Sequence, residues 1–534
     1  MKIAIIGSGL ASISAAKALI DRGMRPTIID CGDVLDASRV KVVDKMSQLD
    51  AENWNAADLS IVTSNPTVKN KSTIPKKLEF GSDYFYGKAD QYQRVQFDGT
   101  IPPFSYAKGG FSAGWGAAVL PPDENDLTAW PIGNKELEPY FQKILANNHY
   151  SAFDDDLSAV FPLYSKNANA LQLTSGNKEV LKDLVNSIKI NKQKDVIVGQ
   201  SRLLVQVATN SLSGMQSDGC KYCGQCLSGC IYGYIYKSSR ELDHLIALNK
   251  IDYISNSLVH SLSEKGGMVE ILVENIETKS REMLLFNKTL LGAGAVNSTR
   301  IVLKSKKLYN KDVRLHSTVT FVAPAIRLKK MKIDWPNVNT QPGIFLEYKN
   351  NTQSNHWVHT QLSTPNELVL ERLGIDMNKK GIMQWAKKKL IKHLIIAHGN
   401  IHSKDADGYI LNLRKTDDSD TDILYSKREQ KENTSRAIKQ SVLKLSNILR
   451  RIGCIVILPA VQNSMESGGF HVGGTMPMRI KPVEEIDTNL LGVPKGWKNI
   501  HVIDSSVFPS LPSTTIGLLA MANATRIASE MEIN

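Results

Sequence analysis

The sequence predicts an α/β protein that opens on a Rossmann-like βαβ unit, and three observations carry that prediction. An apolar run, Lys2-Ile3-Ala4-Ile5-Ile6, leads straight into Gly7-Ser8-Gly9-Leu10-Ala11-Ser12. A stretch with helical apolar periodicity follows, from Ile13 to Gly23. A second apolar run, Pro26-Thr27-Ile28-Ile29, then ends in Asp30.

Each element has a physical reason. A strand covered on both faces reads as unbroken apolar residues rather than as alternation. Gly7 permits the tight turn, and Gly9 lets a pyrophosphate approach the backbone. Leu10 and Ala11 begin the helix, whose free N–H groups and positive dipole end favour an anion. Ser12 stands where a third glycine is usual, and it is small enough for the helix and strand to pack closely. Asp30 lies at the spacing from which a carboxylate accepts hydrogen bonds from ribose hydroxyls. The motif by itself does not separate FAD from NAD.

Bulk composition narrows the class. The chain has 534 residues, of which 42% are hydrophobic and 22% charged. Those are ordinary values for a globular protein of two or three domain-sized units. The formal net charge of +12 admits anionic partners, but a solvated lysine-rich surface is the expected reading. No basic run interleaved with aromatics is present, so nucleic acid is not an expected partner. No leader-like start and no span of about 18 apolar residues is found, so a cytoplasmic protein is expected.

Three further segments settle the expected cofactor. The first is Gly109-Gly110-Phe111-Ser112-Ala113-Gly114-Trp115-Gly116, followed by Asp126 and Trp130-Pro131. The second runs from Leu290 to Ser305 and contains Gly292, Gly294 and Asn297. The third, Gly469 to Ser529, carries His471-Val472-Gly473-Gly474-Thr475, Asp504-Ser505 and a small-residue helix. In this order they resemble the glucose–methanol–choline (GMC) family of oxidoreductases across nearly the whole chain.

The resemblance implies a GMC-type FAD-binding domain and a second, substrate domain built on an antiparallel sheet with helices. It divides the chain into a FAD-binding part over 1–305, a mainly substrate part over 306–465 and a return over 466–534. The loop bearing Gly109, Gly110, Ser112, Trp115 and Gly116 would lie along the flavin, and Val259 on a strand near adenine. Gly292, Gly294, Asn297, Gly474, Asp504, Ser505 and Thr515 would complete the FAD site. Some members attach FAD through a histidine that falls at Gly114, and no histidine lies between residues 101 and 148, so non-covalent FAD is expected.

The resemblance makes His471 the catalytic base, taking a hydroxyl proton while hydride leaves the adjacent carbon. An imidazole that titrates near neutrality suits that task. Two departures matter. Met476-Pro477-Met478 replaces the usual arginine segment, and no Asn or His precedes the last helix. Depending on the anchor, Leu511 or Thr515 occupies that second position. Ser513, Thr514 and Thr515 are therefore expected to orient substrate beside a single histidine. The expected reaction is oxidation of a CH–OH group of a polar substrate, an alcohol, sugar or polyol, with an external electron acceptor. A non-redox lyase on the same fold, or a FAD electron-transfer protein, is the alternative.

Cys220-x2-Cys223-x2-Cys226-x3-Cys230 has the spacing of a ferredoxin-type iron–sulfur run, within the cysteine-rich segment 219–238. Buttressing thiols and a zinc site stay open as alternatives. Cys31 and Cys454 read as core residues. Residues 379–396 combine lysines with apolar residues at near-helical spacing. The expectation is a surface helix with its apolar side turned inward, ahead of one lying on an anionic membrane. Residues 40–100 are expected to form an excursion or lid.

Overall fold

The computed structural model describes residues 1–534 except 70–73, 93, 167, 209–217, 350–353, 378, 417–420, 466–468 and 534. Parts of the predicted 40–100 excursion thus lie outside the described residues.

The predicted βαβ start is the centre of a five-stranded, all-parallel sheet. Its order is Ile500–Val502, Lys288–Leu291, Ile3–Ile6, Thr27–Ile29, Asp252–Ile254. Ile3 and Ile5 face the Leu10–Asp21 helix, while Ala4 and Ile6 enter a second apolar cluster on the other side. Burial of both faces explains why the strand is apolar throughout. The Gly517–Glu530 helix is buried along almost its whole length and shares the first cluster, with Ala524, Ile527 and Ala528 packed among the residues of the Leu10–Asp21 helix. A three-stranded antiparallel sheet spans Ser257–Lys265, Met268–Asn275 and Arg281–Phe286.

The second half is mainly antiparallel, as expected, the exception being the parallel pairing of Asp422–Glu429 with Arg94–Asp98. Its largest sheet runs Cys454–Val456, Val319–Arg327, Leu394–Ile401, Trp357–Ser363, Ile344–Lys349, Val196–Gln200, with Gln462–Asn463 also paired to Val319–Arg327. The helices Ser175–Ile190 and Thr434–Arg450 cover one face through Val180, Leu184, Ala437, Val442 and Leu445. Another sheet joins Val472–Gly473, Asp312–Ser317, Gly408–Lys415, Asp422–Glu429 and Arg94–Asp98. Val196–Gln200 and Arg94–Asp98 come from the first 200 residues of the chain, so the sheets interleave in sequence.

Candidate active site

Three segments far apart in sequence meet at the ends of the parallel strands. Gly7 has φ 91°, and a Cβ there would stand 2.6 Å from the Gly292 carbonyl oxygen. The Ser12 hydroxyl donates to that same carbonyl at 3.2 Å, and a Cβ on Gly292 would overlap the Ser12 oxygen. Glycine at 7 and 292 and a small residue at 12 are therefore packing requirements of the two strand ends.

Gly9 is different. A Cβ on Gly9 would meet nothing within 4 Å, and the same holds at Gly294, where φ is 86°. A Cβ on Gly110 would face only the Gly9 Cα, at 3.5 Å. The Leu10–Asp21 helix begins at Gly9 with no side-chain cap, so the N–H groups of Leu10, Ala11 and Ser12 open onto this slot. The Gly517–Glu530 helix also starts uncapped. A Cβ on Gly517 would stand 2.7 Å from the Trp115 ring and 3.4 Å from Leu10.

Ser8 joins two motifs. Its hydroxyl bonds the Asp30 carboxylate and accepts the Gly109 N–H at 2.8 Å. Tyr253 donates to Asp30 at 3.4 Å, and burial pushes the Asp30 carboxyl up to about 7. In the glycine loop, Ser112 donates to the Gly109 carbonyl at 2.6 Å and accepts from the Ser238 N–H at 3.0 Å. Trp115 donates its indole N–H to the Tyr236 carbonyl at 2.7 Å, and the Gly116 carbonyl accepts from the Gln341 amide. The space beside Gly114 is filled by the Phe85 ring, which a side chain at 114 would overlap.

The remaining predicted FAD residues are held by protein partners. Both Asp504 oxygens are engaged, one by the Gly294 N–H at 2.9 Å and the Ser298 hydroxyl at 2.5 Å, the other by Ser506. Asn297 donates to the Ser105 carbonyl at 3.0 Å, and Ser505 to the Val472 carbonyl at 2.7 Å. The Val259 carbonyl accepts from Arg300 at 2.6 Å. Gly474 has φ 81° and abuts the His316 ring, and the Thr475 hydroxyl accepts from Thr299 at 2.6 Å.

His471 precedes the Val472–Gly473 strand, and its carbonyl accepts the Thr318 N–H at 3.1 Å. Its Nδ1 is buried with no hydrogen-bond partner among the described residues. Burial, then the neighbouring imidazoles of His359 and His398, push its pKa down to about 4. The ring is therefore a free base at neutral pH. Its neighbour Phe470 packs 6.1 Å from Tyr86, which lies 6.2 Å from Phe111 of the glycine loop. Thr514 and Thr515 also carry buried hydroxyls without partners among the described residues. Ser513 donates to the Trp357 carbonyl, and Leu511 is fully buried with its N–H on the Ser403 hydroxyl at 2.8 Å.

Sequence reasoning missed the face of the large sheet that is turned away from its helices. Alternation puts Thr320, Glu347, His359, Gln361, His398 and Asn400 on that face, and the registers place them opposite one another. His359 and Glu347 form a fully buried pair, Nδ1 to Oε1 2.6 Å, and burial raises the Glu347 carboxyl. The Gln361 amide bonds the other His359 nitrogen at 3.0 Å. The signal available in sequence was the alternation His359-x-Gln361 and His398-x-Asn400 inside apolar runs.

Asp126, His356 and His402 bring one ligand-type atom each within 4.8 Å of one another. The two rings stack at 3.7 Å, and His356 Nδ1 pairs with Asp126 at 3.2 Å. His402 Nδ1 accepts the Lys404 N–H at 3.1 Å, so the neutral ring keeps its proton on Nε2. That is a hydrogen-bonded stack rather than a ready ligand set. It braces the 510–513 segment, since Ser510 donates to the Asp126 carbonyl at 3.1 Å.

The four clustered cysteines are free thiols. Sulfur acceptors are met by the Tyr234 N–H on Cys230 (3.2 Å), the Thr340 N–H on Cys226 (3.4 Å) and the Asn339 amide on Cys220 (3.5 Å). Burial pushes Cys223 up to about 12 and Cys226 well above the ordinary thiol range. Among the described residues, no three of these sulfurs lie within 4.8 Å of one another. Lys77, whose ammonium is an electrostatic neighbour of Cys226 and Cys230, donates to the Trp115 carbonyl at 2.8 Å.

No protein-family model matches the chain. No curated protein matches it either. Among solved structures, the chain is similar in fold to pyridoxine 4-oxidase from Mesorbium loti. The TM-score is 0.57 at 13% sequence identity, over 99% of this chain and 98% of that one.

Proposed function

We propose that this chain, whose fold is that of the pyridoxine 4-oxidase structure, is a GMC-type FAD-dependent oxidoreductase that oxidises a CH–OH group of a small polar substrate. One observation carries the reading. The slot left open at Gly9 and Gly294 is flanked by two uncapped helix starts and the Gly109–Gly116 loop, in a chain whose motif histidine, His471, keeps a buried nitrogen without a partner among the described residues. The slot is a cradle that a Cβ would fill, and it fits a pyrophosphate held by backbone N–H groups. Leu10, Ala11 and Ser12 would bind the diphosphate and Asp30 the ribose. Gly110, Ser112, Trp115 and Gly116 would border the ring, and the Gly517–Glu530 helix would offer it a positive dipole end. The Phe85 ring beside Gly114 supports non-covalent binding. FAD, when bound, supplies the hydride acceptor.

His471 takes the substrate hydroxyl proton on its unprotonated imidazole as the C–H hydride leaves, giving a carbonyl product. Thr514 and Thr515 offer hydroxyls to the substrate oxygen, in place of the absent Asn or His. His398, an electrostatic neighbour of His471, would be the sheet's polar group nearest the substrate, with His359 held behind it by Glu347 and Gln361.

The test is anaerobic reduction of the bound flavin by a panel of sugars, polyols and small alcohols. Bleaching of the visible flavin band with formation of the matching carbonyl supports the proposal. Purified protein that retains no FAD ends it, and turnover with the flavin oxidised and no acceptor consumed favours a lyase.

The pH profile is a second expectation. His471 must be unprotonated to act, so kcat/KM should rise as pH climbs through about 4 and then stay level to neutrality. Stability runs the same way. His260, His316, His398, His471 and His501 are all pushed to about 4 by burial from the ordinary 6.5. The unfolded chain therefore binds more protons between those values. The histidines' contribution to stability is complete above pH 6.5 and is lost as pH falls toward 4, while the raised Asp30 carboxyl works the other way from about 4 to 7; a series of Tm measurements on wild type and a His→Gln variant would read the histidine part.

Electrons would leave to an external acceptor by way of the cysteine segment. An iron–sulfur cluster on Cys220, Cys223, Cys226 and Cys230 would supply one-electron transfer. The N–H donors on three of the sulfurs support it, because such bonds stabilise cluster thiolates. Anaerobically purified protein is expected to contain iron and acid-labile sulfide, and Cys226→Ser to lose both while keeping FAD. Protein without iron or sulfide under those conditions would reduce the segment to a structural loop.

A further inference from the structure

The Ile382–Leu390 helix is mounted back to front. Its polar side faces the protein. Lys387 donates to the Leu373 carbonyl at 2.6 Å, and Lys388 to the carbonyls of Met377 (2.9 Å) and Lys379 (2.7 Å). Gln384 donates to the Gly374 carbonyl at 3.0 Å and accepts from the Asp376 N–H at 3.2 Å. These lysines neutralise carbonyls at the end of the Glu367–Arg372 helix and in the turn after it, so they are spent internally.

The apolar side consequently points outward. Ile382 is 87% exposed, Met383 72%, Trp385 58% and Leu390 48%, and no residue of this helix is buried. On a helical wheel these four share one arc with Ala386 and Lys389. Lys389 lays its ammonium 3.7 Å from the Trp385 ring centroid, with its stem along the same surface. The expectation of an inward apolar side thus does not hold for 382–390.

Charge surrounds the arc. The Lys392 carbonyl accepts the Met331 N–H at 2.7 Å, bringing up a turn that carries Lys330 and a 68% exposed Leu328. Lys329, Lys332 and Lys379 have carboxylate partners at 3.3, 3.7 and 3.9 Å. Among the described residues, Lys330, Lys380, Lys389 and Lys392 have none within ion-pair distance, and the whole chain is basic by +12.

We propose that this protruding basic–apolar helix docks the protein on an anionic lipid surface. A second copy would bring like charges together, and one nine-residue helix, about 14 Å long, offers far less than the roughly 800 Å² per partner of a stable interface. A lipid interface asks for what is present: an indole at headgroup depth, aliphatic side chains just below it and lysines over the phosphates. Combining apolar insertion with basic charge gives the two weak signals that reversible membrane attachment needs. Among the described residues no helix is long and apolar enough to cross a membrane, so the contact is peripheral.

The test is co-sedimentation of the full chain with phosphatidylcholine vesicles, with and without phosphatidylserine. Wild-type protein is expected to pellet with the anionic vesicles, at least about ten-fold more than with neutral ones, and to be released by salt. The triple variant Ile382→Ser, Met383→Ser, Trp385→Ser should lose that binding about ten-fold while its Tm stays unchanged, because these side chains touch little of the fold. Lys380→Glu with Lys389→Glu should abolish the preference for anionic lipid. Wild-type protein left in the supernatant with both vesicles, or a triple variant that binds as well as wild type, overturns the proposal. So does self-association that the triple variant removes in the absence of vesicle binding. None of these outcomes depends on the flavin chemistry.

Discussion

Replacing His471 with alanine is expected to lower kcat by about 10³-fold, within the roughly 10²–10⁴ range of a lost general base, while bound FAD is retained. The reason lies in how the residue is held. Its carbonyl accepts the Thr318 N–H, and Gly474 and Thr475 just after it are locked by the Ser505 carbonyl and the Thr299 hydroxyl. The backbone therefore keeps its course when the ring is removed, and the loss falls on the proton transfer. His471→Asn is the informative companion, since it keeps a polar side chain of similar reach without a base. If both variants turn over substrate at the wild-type rate, the imidazole is not the base, whatever else the protein does. If kcat falls and KM does not, the ring acts in the transition state rather than in binding.

The second large effect separates two glycines of one motif. Gly7→Val should cost several kcal/mol, on the order of 3–5, because it adds a β-branched side chain at φ 91° and drives its Cβ to 2.6 Å from the Gly292 carbonyl. Poor soluble yield and a depressed Tm are the expected readings, with FAD lost as a consequence. Gly9→Val should behave otherwise. Gly9 has φ −69°, and a Cβ there meets no protein atom within 4 Å. The apoprotein should keep its Tm within the few degrees that about 1 kcal/mol represents, yet retain less than a tenth of the wild-type flavin. Flavin content at wild-type levels in Gly9→Val would mean that no phosphate lies in the slot, and the FAD reading would fail there.

The same contrast explains what could be read in advance. Gly7, Gly9, Ser12 and Asp30 are legible because strand, turn, helix and strand are consecutive, so local backbone rules place them. The meeting of Gly9, Gly110 and Trp115 was expected only through family resemblance, since about 100 residues separate the first from the others, and the place of Gly517 against Trp115 came from the structure alone. Asp504 was expected by the same route. Its oxygens are both occupied by Gly294, Ser298 and Ser506, so its direct service to the structure is to hold the turn that begins the Ala295–Ser305 helix. The polar wall of Glu347, His359, Gln361 and His398 carried no motif, because residues that face each other across strands are set by register, not by spacing along one strand.

By itself, the sequence determined the βαβ start and the identity of the residues offered for chemistry, while the antiparallel part was expected only through the family resemblance. The first two follow from dihedral preferences, apolar periodicity and side-chain type, all of which act over a few neighbours. Tertiary structure alone decided that Val196–Gln200 joins the distant large sheet, that Glu347 grips His359, and that the Ile382–Leu390 helix turns its apolar arc to the outside. Periodicity states that a helix has two unlike sides. Which side meets the protein depends on the partners waiting there, and here those were the carbonyls of Leu373, Gly374 and Met377, which lysines satisfy and leucines cannot.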